Sequence, residues 1–360
     1  MSGIFSTWRT KIYRYLLKHP RLDALQCYIR NCKDIQYCRK VACRDSLVLT
    51  CEQYGKLNKD KNIFLIKHGS SELGFFALFR ELLKYLCYAD RFGFYPVIEW
   101  EKGIPYAESD EICGTTNPFE YYFEQPAGIS LEETKKSYNV FKSEEVQLDD
   151  FFVNKELPEG ENGYIMSDEL IDYFAVIMQK YIRFQPTIER DLKEHVQNLF
   201  QGQKVLGVHY RGTDYKSNFS RHPVFVQANE YLAETKQMYQ EGNYDRVFLA
   251  TDDLETVEIF RDEFKDRLVF YEDVERTTGT VSVAFIQNER EHHKYMLGYE
   301  VLRDMYTLSE CDGLLAGISQ VSYCAQIRKK STGKNYHNLK VINAGINHNN
   351  TYFVTPKRQK

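Results

Sequence analysis

The sequence has no apolar run long enough to cross a membrane, since such a run needs about 18 uninterrupted apolar residues. Its amino terminus also has no continuous apolar segment of the kind that directs secretion, and its 360 residues carry a net charge of only −4. A membrane-spanning protein, a secreted protein and a nucleic-acid binder that is basic along its length are therefore not expected. We predict a cytoplasmic globular protein of about two domains.

Several catalytic motifs are also missing. The chain has no G-x-G-x-x-G, H-E-x-x-H or G-x-S-x-G, which argues against a dinucleotide dehydrogenase and two classes of hydrolase. Residues 69–74 have the glycine spacing of a P-loop, but Phe75 and Phe76 stand where that loop has Lys and Ser or Thr. The nine cysteines include no C-x2-C pair and no D-x-D occurs, so we expect no bound metal and no cofactor.

Charge is distributed unevenly along the chain. Residues 1–60 contain 12 Lys and Arg against 5 Asp and Glu, whereas the rest of the chain contains 35 against 46. Within this basic segment Ile12, Leu16 and Leu17 recur at helical spacing between cationic residues, which predicts a basic helical extension over 1–60. Two interpretations remain open: the extension binds an anionic membrane surface, or it packs on the body of the protein.

After this extension, apolar runs typical of buried strands alternate with helical segments, which predicts an α/β fold with parallel sheets. Strands are predicted at 63–66, 95–100, 204–210, 246–250, 268–271 and 313–316, and helices at 72–91, 168–200, 228–239, 254–264, 292–309 and 319–329. The pattern predicts two Rossmann-like domains, over 61–195 and 200–350. A ligand crevice is expected beyond the carboxyl ends of the strands.

Polar residues lie at the carboxyl ends of three predicted strands of the second domain. They are His209, Arg211 and Asp214; Asp252 and Asp253; and Ser319 and Gln320. An arginine fork suits phosphate oxygens, a helix that begins near Ser319 adds backbone N–H donors, and carboxylates suit the donors of a base or ribose. This combination predicts a nucleotide-diphosphate pocket. The alternatives are that the aspartates and Ser319 only cap helices and that His209 is a core histidine.

The order of short motifs in this region is similar to that of the α1,6-fucosyltransferase superfamily. GVHYRGTDY (207–215) resembles the family's H-x-R-x-x-D element. The segments that follow in the family's order are FLATDD (248–253), LRDMYTLSECD (302–312), ISQVS (318–322) and YHNLKVINAG (336–345). The resemblance covers about residues 204–346, and in the first half HGSSELGFF (68–76) resembles the family's glycine-containing loop.

This resemblance implies a GT-B fold, with GDP-fucose bound by the second domain and the acceptor bound by the first. The residues it implicates in donor binding are Arg211 for the β-phosphate, His209 and Asp304 for guanine, Ser319 and Gln320 for the diphosphate, and Asp252 and Asp253 for the shape of the site. The family transfers fucose with inversion and without a metal. The expected function is therefore that of an inverting, metal-independent fucosyltransferase acting on a glycan hydroxyl.

The sequence departs from core fucosyltransferases near the position of the general base. Those enzymes have a Lys directly after the motif Asp and a Glu four residues later, whereas this chain has Tyr215 and no carboxylate between Asp214 and His222. Glu72 is the first candidate base and Asp214 the second. The departure leaves two further hypotheses open: a catalytically inactive nucleotide-sugar-binding or scaffold protein, and a glycosyltransferase that uses another nucleotide sugar.

The predicted acceptor is a surface polysaccharide, a lipid-linked oligosaccharide or a similar glycan. The basic extension would hold the enzyme at the periphery of the cytoplasmic membrane. Residues 117–126 (NPFEYYFEQP) contain aromatic side chains that suit sugar faces, which predicts a wall of the acceptor site. The same residues also fit a packed loop between the domains.

Overall fold

The computed structural model describes residues 22, 49–68, 73–146, 164–280, 282–283 and 289–351, and two parallel sheets lie within them. The strands are β1 Ile63–His68, β2 Tyr95–Trp100, β3 Val140–Lys142, β4 Val205–Tyr210, β5 Arg246–Thr251, β6 Leu268–Val269, β7 Gly313–Gly317 and β8 Asn338–Ile342. The strand order is β2-β1-β3 in the first sheet and β6-β5-β4-β7-β8 in the second, and all of these neighbours are parallel. The predicted α/β fold with parallel sheets is confirmed.

Helices connect most of the strands. They are α1 Phe75–Phe92, α2 Leu131–Thr134, α3 Asp168–Tyr181, α4 Pro186–Phe200, α5 Ala228–Gly242, α6 Leu254–Phe264, α7 His293–Glu310 and α8 Gln320–Ser331. The stretch predicted as one helix over 168–200 is two helices, because Pro186 has no N–H to continue α3 and instead begins α4. We call the first sheet with α1 the first lobe, and the second sheet with its helices the second lobe.

Within the described residues the sheet of the first lobe has three strands, and side-chain amides close the outer edge of β2. The Ile98 N–H donates to Gln125 Oε1 and the Trp100 N–H donates to Asn117 Oδ1, both at 2.9 Å. The amide nitrogens of Asn117 and Gln125 donate in turn to the Ile98 carbonyl, both at 2.8 Å. These bonds take the place of a neighbouring strand, and they fix residues 117–125 against the sheet.

Residues 117–126 form a packed loop between the lobes, so the prediction of an acceptor wall is wrong and its alternative is correct. Phe119, Tyr121, Tyr122 and Phe123 are at most 1 % exposed. Tyr122 stacks on Tyr295 of α7 with ring centroids 5.4 Å apart, and its hydroxyl donates to the Tyr295 carbonyl at 2.7 Å. These aromatic rings therefore join the lobes and leave no face for a sugar.

Close packing against α7 fixes the position of β4, the central strand of the second lobe. All six residues of β4 are buried. At Gly207 a Cβ atom would lie 2.9 Å from Cys311 Sγ and 3.2 Å from Leu308 Cδ2, so only glycine lets the helix approach this far. The strand then leads directly to His209 and Arg211, whose positions are set by this contact.

Two predictions concern residues outside the described part of the chain. Residues 1–21 and 23–48 of the basic extension lie there, and so does Glu72. Residues 49–60 are described and form no helix: their backbone instead bonds to residues 136–140, so the prediction of a helical extension is wrong over this part. Within the described residues no helix combines the length and the apolar character that a bilayer crossing requires.

Candidate active site

A cavity of about 220 Å³ lies between the lobes, where β4, β5 and β7 end opposite the amino terminus of α1. The predicted residues that line it are His209, Arg211, Asp214, Asp252, Asp304, Ser319 and Gln320. Gly74, Phe75, Phe76 and Ala77, from the start of α1, also line it. The strand ends of the second lobe thus bring the predicted residues together, and their roles in binding and catalysis stay predictions.

Arg211 is held in the cavity by two carboxylates. Its Nε donates to Asp214 Oδ1 at 2.8 Å, its Nη1 lies 2.7 Å from Asp252 Oδ2, and its Nη2 donates to Ser282 Oγ at 3.2 Å. Burial lowers the pKa of the guanidinium, but the charges of Asp214 and Asp252 raise it by more, so Arg211 stays protonated. Each terminal nitrogen carries a second N–H, which a ligand with phosphate oxygens can use.

Asp252 and Asp253 have different surroundings. Asp252 Oδ1 accepts from the Gly212 N–H at 2.9 Å and its Oδ2 accepts from Thr213 Oγ1 at 2.6 Å, so Asp252 fixes the turn that carries Arg211. Asp253 does not line the cavity: it is 2 % exposed and binds Lys216 Nζ at 2.9 Å. Its other oxygen accepts from Thr256 Oγ1 at 2.6 Å, within the first turn of α6. The structure therefore fixes Asp253 against Lys216 and the start of α6, outside the cavity lining, and its predicted donor-site role stays a prediction.

His209 is a buried, neutral ring. Burial, together with the positive charge of Arg211, lowers its pKa to about 3. Its Nδ1 lies 2.8 Å from Ser322 Oγ in α8, a contact that fixes the plane of the imidazole. A neutral imidazole has one donor and one acceptor nitrogen, so His209 is able to make a directional hydrogen bond to a base without adding charge.

Asp304 lies on α7 and lines the same cavity. Burial raises its pKa to about 7, and the nearby charges of Arg276 and Arg303 lower the pKa too little to offset that burial. Both arginines have other partners. Arg303 donates to the two oxygens of Asp273 at 3.0 and 2.6 Å. Arg276 donates to backbone carbonyls, among them that of Thr251 at 3.2 Å. At neutral pH the carboxyl group of Asp304 is consequently close to its titration midpoint.

The amino terminus of α8 opens into the cavity. Ser319 caps α8, because its Oγ accepts from the Val321 N–H at 3.3 Å. This confirms the helix-capping alternative given for Ser319 in the sequence analysis. The Oε1 atom of the adjacent Gln320 is buried and has no hydrogen-bond partner. A buried acceptor without a partner costs free energy, so a ligand that donates to Gln320 gains affinity. The positive end of the α8 dipole favours an anionic ligand at the same place.

An aromatic group that the sequence patterns do not reveal forms another side of the cavity. Tyr164 and Tyr215 both line it. His222 packs beside them, with ring centroids 5.3 Å from Tyr164 and 6.3 Å from Tyr215. The Tyr215 hydroxyl donates to the Ile318 carbonyl at 3.1 Å, so the residue that replaces the relatives' Lys is fixed against the start of α8. Tyr164 follows no strand or helix pattern, and sequence reasoning had no signal for it.

Of the two candidate bases, the structure describes only Asp214, which lines the cavity but is bound to Arg211. In the described ranges no group of three or more His, Cys, Asp and Glu side chains is placed to hold a metal ion. The arrangement as a whole, a positioned guanidinium, a helix amino terminus and partly buried carboxylates, can bind a nucleoside diphosphate and stabilise charge that develops on it.

Residues 164–342 match the family model described as the α-(1,6)-fucosyltransferase N- and catalytic domains. This segment resembles that family over just under half of the chain. The matched segment runs from the residues before α3 to the end of β8 and contains all the predicted donor-site residues. The predicted family and the predicted enzyme class are confirmed over this segment.

The other comparisons are more distant. No curated protein sequence matches the chain. Among solved structures, NodZ α-1,6-fucosyltransferase soaked with GDP-fucose is 16 % identical over 74 % of this chain and 92 % of that chain, with a TM-score of 0.43. The structure of NodZ from Bradyrhizobium has the same identity and coverage and a TM-score of 0.42. POFUT1 in complex with GDP-fucose is 9 % identical over 80 % of this chain and 99 % of that chain, with a TM-score of 0.45. Likenesses at such TM-scores carry no weight for the function.

Proposed function

We propose that the chain is an inverting, metal-independent fucosyltransferase that moves fucose from GDP-fucose to a hydroxyl group of a glycan. The observation that carries the proposal is the position of Arg211. Its guanidinium lines the cavity together with Ser319 and Gln320, inside the segment that matches the fucosyltransferase family. Guanine is the base we assign to this donor, because its adjacent N1–H and amino groups suit the Asp304 carboxylate and the His209 ring.

The proposed chemistry follows from where charge develops. The acceptor oxygen attacks C1 of fucose while the bond between C1 and the β-phosphate oxygen breaks, and the electron pair of that bond goes to GDP. Negative charge on the phosphate therefore grows in the transition state. Arg211 is already held by Asp214 and Asp252, so it stabilises this charge without reorganisation. Attack on the face opposite the leaving GDP inverts C1, and the guanidinium with the α8 terminus takes the place of a metal.

The acceptor proton passes to a carboxylate, for which Glu72 is our first assignment and Asp214 the second. Glu72→Gln is expected to lower kcat about 10²–10⁴-fold, because only the proton acceptor is lost, and to leave the Kd for GDP unchanged. Asp214→Asn removes the partner of Arg211 Nε and is expected to weaken GDP binding as well. Turnover at saturating donor, compared with calorimetric binding of GDP, separates these effects. Wild-type kcat in both variants would refute both assignments.

The donor is tested by thermal unfolding in the presence of GDP, GDP-fucose, GDP-mannose and UDP-sugars, followed by assays of transfer to a panel of glycans. A ligand at 100 times its Kd stabilises the folded state by about 2.7 kcal/mol, so GDP and GDP-fucose are expected to raise Tm by several degrees. A rise with UDP-sugars only would assign another donor. Donor binding without transfer or hydrolysis would favour the hypothesis of an inactive binding protein. That hypothesis is motivated by the absence, after Asp214, of the Lys and Glu that core fucosyltransferases have there.

For the setting of the reaction, we propose a surface polysaccharide or a lipid-linked oligosaccharide as the acceptor. The enzyme would work at the periphery of the cytoplasmic membrane. The excess of Lys and Arg over Asp and Glu in residues 1–60 supports this part of the proposal, because anionic lipids attract such a segment.

A further inference from the structure

Two tyrosine rings present the accessible aromatic surface of the large cavity. Tyr164 and Tyr215 line the cavity and are both half-buried. Among the described residues, the other Phe and Tyr side chains of the cavity lining are at most 4 % exposed; they are Phe75, Phe76, Tyr106 and Tyr210. We call Tyr164 and Tyr215 the tyrosine wall. A ligand that fills the cavity therefore meets aromatic carbon at this wall.

The tyrosine wall lies beside Arg211. Tyr215 follows Arg211 after a single turn of chain, and the two residues together line a second, smaller cavity of about 20 Å³. Burial raises the pKa of both tyrosine hydroxyls, and on each of them the charge of Asp214 raises the pKa further while that of Arg211 lowers it. Neither charge is among the main ones that shift the pKa of Asp304. A GDP-sugar with its guanine at Asp304 and its β-phosphate at Arg211 therefore brings its sugar to the tyrosine wall.

Gln320 offers a polar contact to the same sugar. Its Oε1 atom is buried and has no hydrogen-bond partner among the described residues. The oxygens of an ionised diphosphate have no proton to donate to this atom, whereas the hydroxyl groups of a sugar have one each. The Tyr215 hydroxyl is bound to the Ile318 carbonyl, two residues before Gln320, so the wall and this acceptor lie at the same end of the cavity. That end suits a sugar with hydroxyl groups on one edge and an apolar group on another.

We propose that the tyrosine wall binds the apolar edge of the fucose ring, including its C6 methyl group, and so selects a 6-deoxy sugar. This role rests on the proposed function, because it takes GDP-fucose as the donor. An aromatic ring packs against C–H groups and excludes water. A sugar with a hydroxyl group on C6 would therefore lose a hydrogen bond to water that the ring does not replace. L-galactose is the matched sugar, because it differs from L-fucose only by that hydroxyl group.

The test compares the calorimetric Kd values of GDP, GDP-fucose and GDP-L-galactose, a measurement that needs no acceptor. The wild type is expected to bind GDP-fucose about tenfold to a hundredfold more tightly than GDP-L-galactose. Tyr164→Ser removes a ring of the wall and should lower this preference about tenfold, through weaker binding of GDP-fucose, while the Kd for GDP stays that of the wild type. Tyr164→Phe keeps the ring and should keep the preference.

Tyr239 of α5 provides the matched control. It is also half-buried, but it lies outside the cavity lining, where its ring packs on Phe264 with centroids 5.4 Å apart. Its hydroxyl donates to the Asp245 carbonyl at 3.0 Å. Tyr239→Ser is expected to lower Tm and to leave the preference for GDP-fucose intact, so that a general loss of stability is distinguished from the loss of a sugar contact.

Equal Kd values of the wild type for the two GDP-sugars would overturn the role of the tyrosine wall and leave GDP-fucose standing as a donor. The same conclusion follows from an unchanged preference in Tyr164→Ser, from a lost preference in Tyr164→Phe, or from an equal loss in the Tyr239→Ser control. If the wild type binds no GDP-sugar at all, the proposed function itself fails, and the role of the wall fails with it.

Discussion

Replacing Arg211 with alanine is expected to lower kcat/KM for GDP-fucose about 10²–10³-fold or more, because the variant loses its fixed donor to the phosphate that becomes more negative in the transition state. The Kd for GDP should rise as well, since the ground-state diphosphate uses the same N–H groups. Steady-state transfer and calorimetric binding of GDP measure the two effects. In the variant, Asp214 and Asp252 also lose their common cation, so the repulsion between the carboxylates and the diphosphate adds to the loss.

Two further substitutions show whether the loss of transfer and of GDP binding is due to the forked guanidinium group of Arg211. Arg211→Lys keeps the charge but cannot contact Asp214, Asp252 and a phosphate at once, so an intermediate loss is expected. Arg246→Ala removes a half-buried arginine at the opposite end of the neighbouring strand β5, where Nη1 donates to the Leu199 carbonyl at 3.0 Å. This control should cost stability and leave donor binding intact. Wild-type transfer by Arg211→Ala would overturn the assignment of the whole cavity.

The position of this cavity was predictable because it follows from parallel strands. β4 and β5 are continuous apolar runs, and polar residues follow each of them directly, so Arg211 and Asp252 had to emerge at one edge of a sheet. Ser319 was predictable for the same reason, as the residue between β7 and α8. A strand end does not determine the direction of each side chain, however. Of two adjacent aspartates, Asp252 faces the cavity and Asp253 turns to Lys216.

Contacts between distant segments were beyond the reach of the sequence patterns. Tyr164 and Ser282 reach the cavity from segments without strand or helix periodicity. The strand β8 was also missed, because Asn338–Ile342 mixes polar and apolar residues and lies half exposed at the edge of the sheet. The aromatic residues of 117–126 illustrate a further limit. Composition shows that such rings suit a sugar, but only packing shows that they are buried between the lobes.

Asp304→Asn is expected to stabilise the unliganded protein and to weaken GDP binding. An aspartate in the unfolded chain has a pKa of about 3.9, whereas burial raises the pKa of Asp304 to about 7 in the folded protein. Between these values the folded state binds more protons than the unfolded state, so ionisation of Asp304 destabilises the fold progressively as pH rises, and fully above pH 7. Asparagine does not ionise and avoids this cost.

The stability advantage of the variant should therefore widen with pH, by up to about 1.4 kcal/mol for each unit between about pH 4 and 7, and then level off. Urea unfolding of both proteins at pH 5 and pH 8 measures this difference. Glu300 and Asp273 help to keep the pKa of Asp304 high, while Arg276 and Arg303 oppose them. A constant difference at the two pH values would mean that Asp304 ionises in the folded protein as it does in water.

Ligand binding should respond to the same ionisation with the opposite sign. The guanine N1–H and amino group donate to the ionised carboxylate, so the affinity of the wild type for GDP is expected to rise as pH increases through about 7. Hydrogen bonds to a charged group contribute about 1.5–3 kcal/mol, so Asp304→Asn should bind GDP roughly tenfold to a hundredfold more weakly at pH 8. Inosine diphosphate, which lacks the amino group, provides the matched ligand. The preference of the wild type for GDP over inosine diphosphate should shrink in the variant, and an unchanged preference would place guanine elsewhere in the cavity.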